Sequence, residues 1–156
     1  MTRVIAGLLR GAAAGAAGTT ALNVTGYLDM VYRARPASHT PEATVEALSQ
    51  AVHVTVPGDA AQKENRIAAL GALSGIAAGL GMGALLGAAR SLGWRPAPAV
   101  IYAVATIGAM IGTNGLMTVL RVTDPRAWSR TDWIADLVPH LAYAGVTTAV
   151  VTGLDP

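Results

Sequence analysis

The 156-residue chain contains no cysteine and no phenylalanine, and Lys63 is its only lysine. Without cysteine there are no disulfides, thiolate metal sites or cysteine nucleophiles. Charge is also scarce. Charged residues make up 13% of the chain, against roughly 25% in a typical soluble domain. The eleven cations are scattered at the ends of segments, so no basic patch points to nucleic acid. Catalytic signatures are absent too, with no HExxH, no phosphate loop and no pair of haem-type histidines within one helix. These absences predict a non-enzymatic protein with no catalytic residues, no cofactor and no metal.

What the chain does have is apolar residues (53%) and 18 glycines, with a mean hydropathy of +0.46. Four apolar runs stand out, at about 4–30, 67–89, 97–120 and 133–154. At about 1.5 Å per residue, each can cross a hydrocarbon core roughly 30 Å thick as a helix. Arg66, Arg90 and Arg121 flank these runs, and Trp94, Trp128 and Trp133 lie just outside them, as in an interfacial aromatic belt. The first run is not read as a signal peptide, because only six residues separate Arg3 from Arg10. The fold class predicted is all-α: a single integral membrane domain over 1–156, with four transmembrane helices.

The stretch 32–66 is the one long polar loop. Thr40 and Pro41 suit an N-cap and first helical position, opening a short amphipathic helix with Val45, Leu48 and Val52 on one face. Val52 to Val56 alternates like an extended segment. Asp59 with Gln62, and Ser129 with Asp132, read as helix-start signals near Ala60 and before the fourth run. Loops one and three hold Arg33, Arg35, Lys63, Arg66, Arg121, Arg126 and Arg130, while the other side holds Arg3, Arg10, Arg90 and Arg95. This asymmetry predicts a multi-pass protein of the cell membrane with both termini outside.

Gly71, Gly75, Gly79, Gly83 and Gly87 recur every four residues, and Gly7, Gly11 and Gly15 do the same in the first run, continued by Thr19. Residues four apart share a helix face, and glycine lets two backbones approach closely in lipid. The expectation is glycine-zipper packing, within the bundle or between copies, in preference to a pore.

Asp29, Arg66, Arg121, Asp136 and His140 form a candidate polar cluster on the side of loops one and three. Asp136 and His140 share a face, and Pro139 between them frees the carbonyl of Ala135. Such a cluster is either an Asp–Arg network fixing helix ends, with Asp136 paired to an arginine, or a proton or ion site. Asn23 and Asn114 lie deeper and are expected to bond neighbouring helices. Gly18 to Leu22 resembles Gly112 to Leu116, a possible trace of repeated hairpins.

Residues 11–41, from Gly-Ala-Ala-Ala-Gly to Arg-Pro-Ala-Ser-His-Thr-Pro, and Asp136-Leu-Val-Pro-His-Leu-Ala-Tyr143 resemble a group of small, uncharacterised actinobacterial membrane proteins. The layout and the Asp136 to His140 region are also similar to inner-membrane proteins linked to acid resistance in enteric bacteria. Neither resemblance implies an activity or site residues. The leading expectation is an accessory or packing subunit of a membrane complex, or a small homo-oligomer. Its partners would be the bilayer and other membrane subunits or itself. The alternative is a small transporter or channel using Asp29, Asp136 and His140.

Overall fold

A computed structural model describes residues 1–154. Its five α-helices run α1 (Thr2–Arg33), α2 (Thr40–Ala51), α3 (Ala60–Ser91), α4 (Pro98–Val119) and α5 (Arg130–Gly153), with one 3-10 turn at Pro125–Ala127. No strand forms among the described residues. Helices α3, α4 and α5 are long and apolar enough to cross a membrane. Helix α1 matches α3 at 32 residues, but Arg10, Asn23 and several threonines interrupt its apolar stretch, and it is not among the helices apolar enough on that criterion.

The four long helices form an up-and-down bundle. Helix α1 packs along α3 on one side and α5 on the other, and α4 packs against α5 and α3. The core is small, built on Ala14, Leu86, Ile101, Ala105, Tyr143, Ala144 and Val151. Large apolar side chains such as Leu73, Leu85, Ile107, Ile111 and Ile134 point outward. Large apolar side chains on the exterior of so small a core are the reverse of a soluble bundle and suit a lipid environment.

The α1–α3 contact is antiparallel and made largely of glycine. A Cβ at Gly7 would lie 2.6 Å from the carbonyl oxygen of Gly87, and one at Gly11 would collide with the carbonyl of Gly83. One at Gly83 would sit 2.6 Å from Cα of Gly15. The contact ends at Thr19, whose hydroxyl occupies the space beside Gly79. Beyond it the expected row breaks. Gly75 meets nothing within 4 Å, and Gly71 faces Pro41 of α2 instead of α1. The reason is in α1, where Thr19 and then Asn23 take the places that further glycines would need to keep the backbones together.

Local signals hold with adjustments. Asp59 accepts from the Gln62 amide at 2.9 Å and starts α3 at Ala60. Ser129 and Asp132 form a reciprocal capping box on α5. Thr40, however, is already helical, with His39 at the cap, and it is Ser38 Oγ that accepts from the Thr40 amide at 3.2 Å. Thr44 is the buried residue of α2, while Leu48 and Val52 of the expected apolar face are exposed. The stretch after α2 turns at His53, with φ of 55°, and does not extend as a strand. The two five-residue segments that resemble each other sit in different surroundings. Gly18 is pressed against Tyr143 and Thr147, whereas Gly112 faces open space.

Candidate functional site

The capping box aims α5 into the bundle, and Pro139 follows in its third turn. Proline removes one amide, so the carbonyl of Ala135 loses its helical partner. Three residues before Pro139 stands Asp136, whose side chain is 21% exposed, and directly after it His140, at 9%. His140 Nδ1 lies 2.7 Å from the Asp136 carbonyl oxygen and 3.6 Å from its Oδ1. A carbonyl can only accept, so Nδ1 carries the proton and donates. Across the interface Asn114 Nδ2 of α4 donates to Asp136 Oδ2 at 2.8 Å. Asp136, Asn114 and His140 therefore form one unit tying α4 to α5.

The polar row continues along the buried face of α5. Tyr143 is almost wholly buried, and its hydroxyl donates to the Gly79 carbonyl of α3 at 2.7 Å. Thr147 is also buried, with Oγ1 at 3.5 Å from the Ala14 carbonyl of α1. The steps of four, three and four residues from Asp136 through His140 and Tyr143 to Thr147 describe one helix face.

Asp29 belongs to a separate group. Its carboxylate accepts two bonds from Arg33, at 2.7 and 2.6 Å, and a third from Arg35 Nε at 2.6 Å. The carboxylate raises the Arg33 pKa above its ordinary value, because it hydrogen-bonds the charged guanidinium. Arg66 reaches the Pro57 carbonyl at 2.5 Å and so fastens the turn before α3. Arg121 is exposed, on a residue with φ of 58° that ends α4.

The five residues expected to form one cluster thus divide. Asp136 and His140 come together, whereas Asp29, Arg66 and Arg121 each serve a different local structure. Asp136 takes an amide and an imidazole where an arginine was expected, because the α4 face toward it offers Asn114. Asn114 bonds a neighbouring helix as expected, while Asn23 is exposed. Tyr143 and Thr147 were missed as members, although their spacing from Asp136 is visible in the sequence. Among the described residues no three His, Asp or Glu side chains gather as metal ligands. Two clefts of 490 and 480 Å³ lie elsewhere, and neither is lined by Asp136 or His140.

Chemically, the Asp136 carboxylate is held by one amide hydrogen bond with an imidazole 3.6 Å away, and the Asp29 unit neutralises charge at a helix end. Comparison of the chain with protein-family models, curated proteins and solved structures finds no match.

Proposed function

We propose that the chain is a non-enzymatic, multi-pass protein of the cell membrane, acting as an accessory or packing subunit that associates with other membrane subunits or with itself. The observation that carries this reading is the division of its glycines. Gly7, Gly11 and Gly15 against Gly79, Gly83 and Gly87 act as a glycine zipper that closes the bundle internally. Gly75, Gly81 and Gly112 meet nothing within 4 Å, so small-residue surface remains on an apolar exterior. In lipid, such surface is where helices from separate chains pack.

On this reading α1 is a fourth span, held between α3 and α5 along its length. Trp94 at one end and the edge-to-face pair Trp128–Trp133, 5.0 Å apart, at the other suit two interfaces. The arginine count then assigns loops one and three to the cytoplasm and the termini to the outside. The likeness to small actinobacterial membrane proteins is part of the same proposal.

The test is assembly in native membranes. Gly75→Leu, Gly81→Leu and Gly112→Leu, made singly, are expected to reduce copurifying subunits or the oligomer mass without lowering thermal stability. Unchanged assembly in all three would remove the reading. For threading, the cysteine-free chain accepts single cysteines at the exposed Ala51, Ala97 and Ala127. An impermeant thiol reagent should label positions 51 and 127 from one side and 97 from the other.

A second reading, a proton- or ion-coupled transporter, is favoured by one observation: the Asp136 carboxylate accepts from Asn114 and has the His140 imidazole 3.6 Å away. Asp29, engaged by two guanidiniums, contributes less to it. Folded Asp136→Asn and His140→Gln proteins that abolish a pH-driven flux in proteoliposomes would establish this reading over the first.

A further inference from the structure

The end of the bundle where α1 begins and α3 and α5 finish differs in charge from the other. Arg3, Arg10, Arg90 and Arg95 line a cleft of 490 Å³ there, floored by the buried Gly7 and Gly87. No acidic residue is among its described lining. Of the nine acids in the sequence, Asp29, Glu42, Glu46, Asp59, Glu64, Asp124, Asp132 and Asp136 belong to the opposite end, and only Asp155 follows Leu154. Arg3 and Arg10 are exposed and have no hydrogen bond or ion pair with a described residue.

Helix dipoles do not account for four cations. The N-termini of α1 and α4 and the C-termini of α3 and α5 meet at this end, so their dipole charges largely cancel. Arg90 and Arg95 make polar interactions of their own, which leaves Arg3 and Arg10 as the cations in surplus. The cleft is also within the roughly 300–1,000 Å³ range of small-ligand sites. Its position matters as well. The glycine contact sets Arg10 more than a turn deeper than Arg90, so Arg10 must reach outward toward the interface while its stem lies along apolar surface. Guanidinium groups stacked at two depths beside a membrane surface match a phosphate-bearing anion whose charge sits just below the water boundary.

We infer that this cleft binds a phosphate-class anion through Arg3 and Arg10, with Arg90 and Arg95 beside them in its lining. The two sources of that chemistry are the headgroup of an anionic phospholipid and free phosphate. The site is independent of the assembly proposed above, since it uses none of Gly75, Gly81 or Gly112.

The experiment measures binding and thermal stabilisation of the purified protein in neutral detergent, with short-chain phosphatidylglycerol, short-chain phosphatidylcholine and inorganic phosphate as separate probes. Phosphatidylglycerol should stabilise the wild type and phosphatidylcholine should not. The Arg3→Gln/Arg10→Gln double variant should bind roughly thirtyfold more weakly, about fivefold for each guanidinium near a lipid surface. Arg126→Gln, at the opposite end, should bind like the wild type. If inorganic phosphate binds as well as the lipid and is weakened by the same double variant, the site stands and its ligand comes from solution. Equal binding of phosphatidylglycerol and phosphatidylcholine, or a double variant that binds like the wild type, overturns the site. If the double variant does not fold, Arg3→Gln alone, at the exposed start of α1, should weaken phosphatidylglycerol binding about fivefold, and wild-type binding by it overturns the site equally.

Discussion

From Gly7 to Gly15, helix α1 lies backbone to backbone on Gly79–Gly87 of α3. Past Thr19 the same two helices lose that contact, Gly75 faces open space, and α2 brings Pro41 to Gly71. The first region is held by dispersion between close backbones. At the other end, discrete polar links fasten the structure: Asp29 to Arg33 and Arg35, Arg66 to Pro57, and Asn114 to Asp136. The contrast teaches that a glycine repeat on one helix makes an interface only where its partner is equally small. A repeat of five therefore delivers three contacts to α1, one to α2 and one to none.

The largest expected effect tests that contrast directly. Gly11→Leu or Gly83→Leu forces a side chain into a backbone carbonyl and should destabilise by about 3 kcal/mol, the upper end of ordinary overpacking. Gly75→Leu should change stability by no more than about 0.5 kcal/mol. Reversible unfolding in mixed detergent reads both, and equal losses at positions 83 and 75 would erase the distinction. Gly79→Leu belongs with the large effects and Ala78→Leu with the small ones, since Thr19 abuts Gly79 and Ala78 is exposed.

Tyr143→Phe tests the link between α5 and the same glycine row. It removes the hydroxyl that meets Gly79 and leaves the ring in place, for a loss of about 1 kcal/mol. A smaller loss, about 0.6 kcal/mol, is expected for Asn114→Ala, the average for a side-chain hydrogen bond between membrane helices. Thermal unfolding of the two variants side by side sets their order. If Asn114→Ala costs more than Tyr143→Phe, the polar end is the stronger of the two.

The smallest effect concerns the turn at Pro125–Ala127. Arg126 hydrogen-bonds the Asp124 carboxylate and holds its pKa below the ordinary 3.8. A carboxyl lowered by folding stabilises the folded turn above its unfolded pKa, and that contribution fades as pH falls through the lowered value. Trp128, whose indole donates to Thr123 within this turn, should therefore keep its emission down to about pH 4 and change below it. Asp124→Asn should flatten that acid response. An unchanged acid response in the variant would assign it to another group.

Much of the scaffold was readable from short-range patterns. The positions of the four long helices and the caps at Asp59 and Ser129 follow from neighbours within a turn of one another. The Asp29–Arg33 pair is four residues apart and lies within the same local reach. The candidate site was legible only in part. Asp136 with His140 is a local pair, but its third member, Asn114, is 22 residues away. Its assignment depends on how α4 is rotated about its own axis. Sequence reasoning supplied an arginine in its place because several arginines share that level of the bundle, and level alone does not say which side chain faces inward.

By itself, then, the sequence determined where the long helices lie and how α3 and α5 start, because caps, prolines and apolar periodicity act through contacts between residues a few positions apart. It also determined that the surface would be apolar, since there are too few charges to cover the molecule. Only the tertiary structure decided which glycines touch, which acids find cations, and that four arginines from two helices and a loop line one cleft. Each of these depends on the register and rotation of helices brought together from distant parts of the chain. Tyr143 and Gly79, 64 residues apart, meet because the glycine contact sets the register of α1 on α3 and the seat of Gly18 against Tyr143 and Thr147 sets that of α5 on α1.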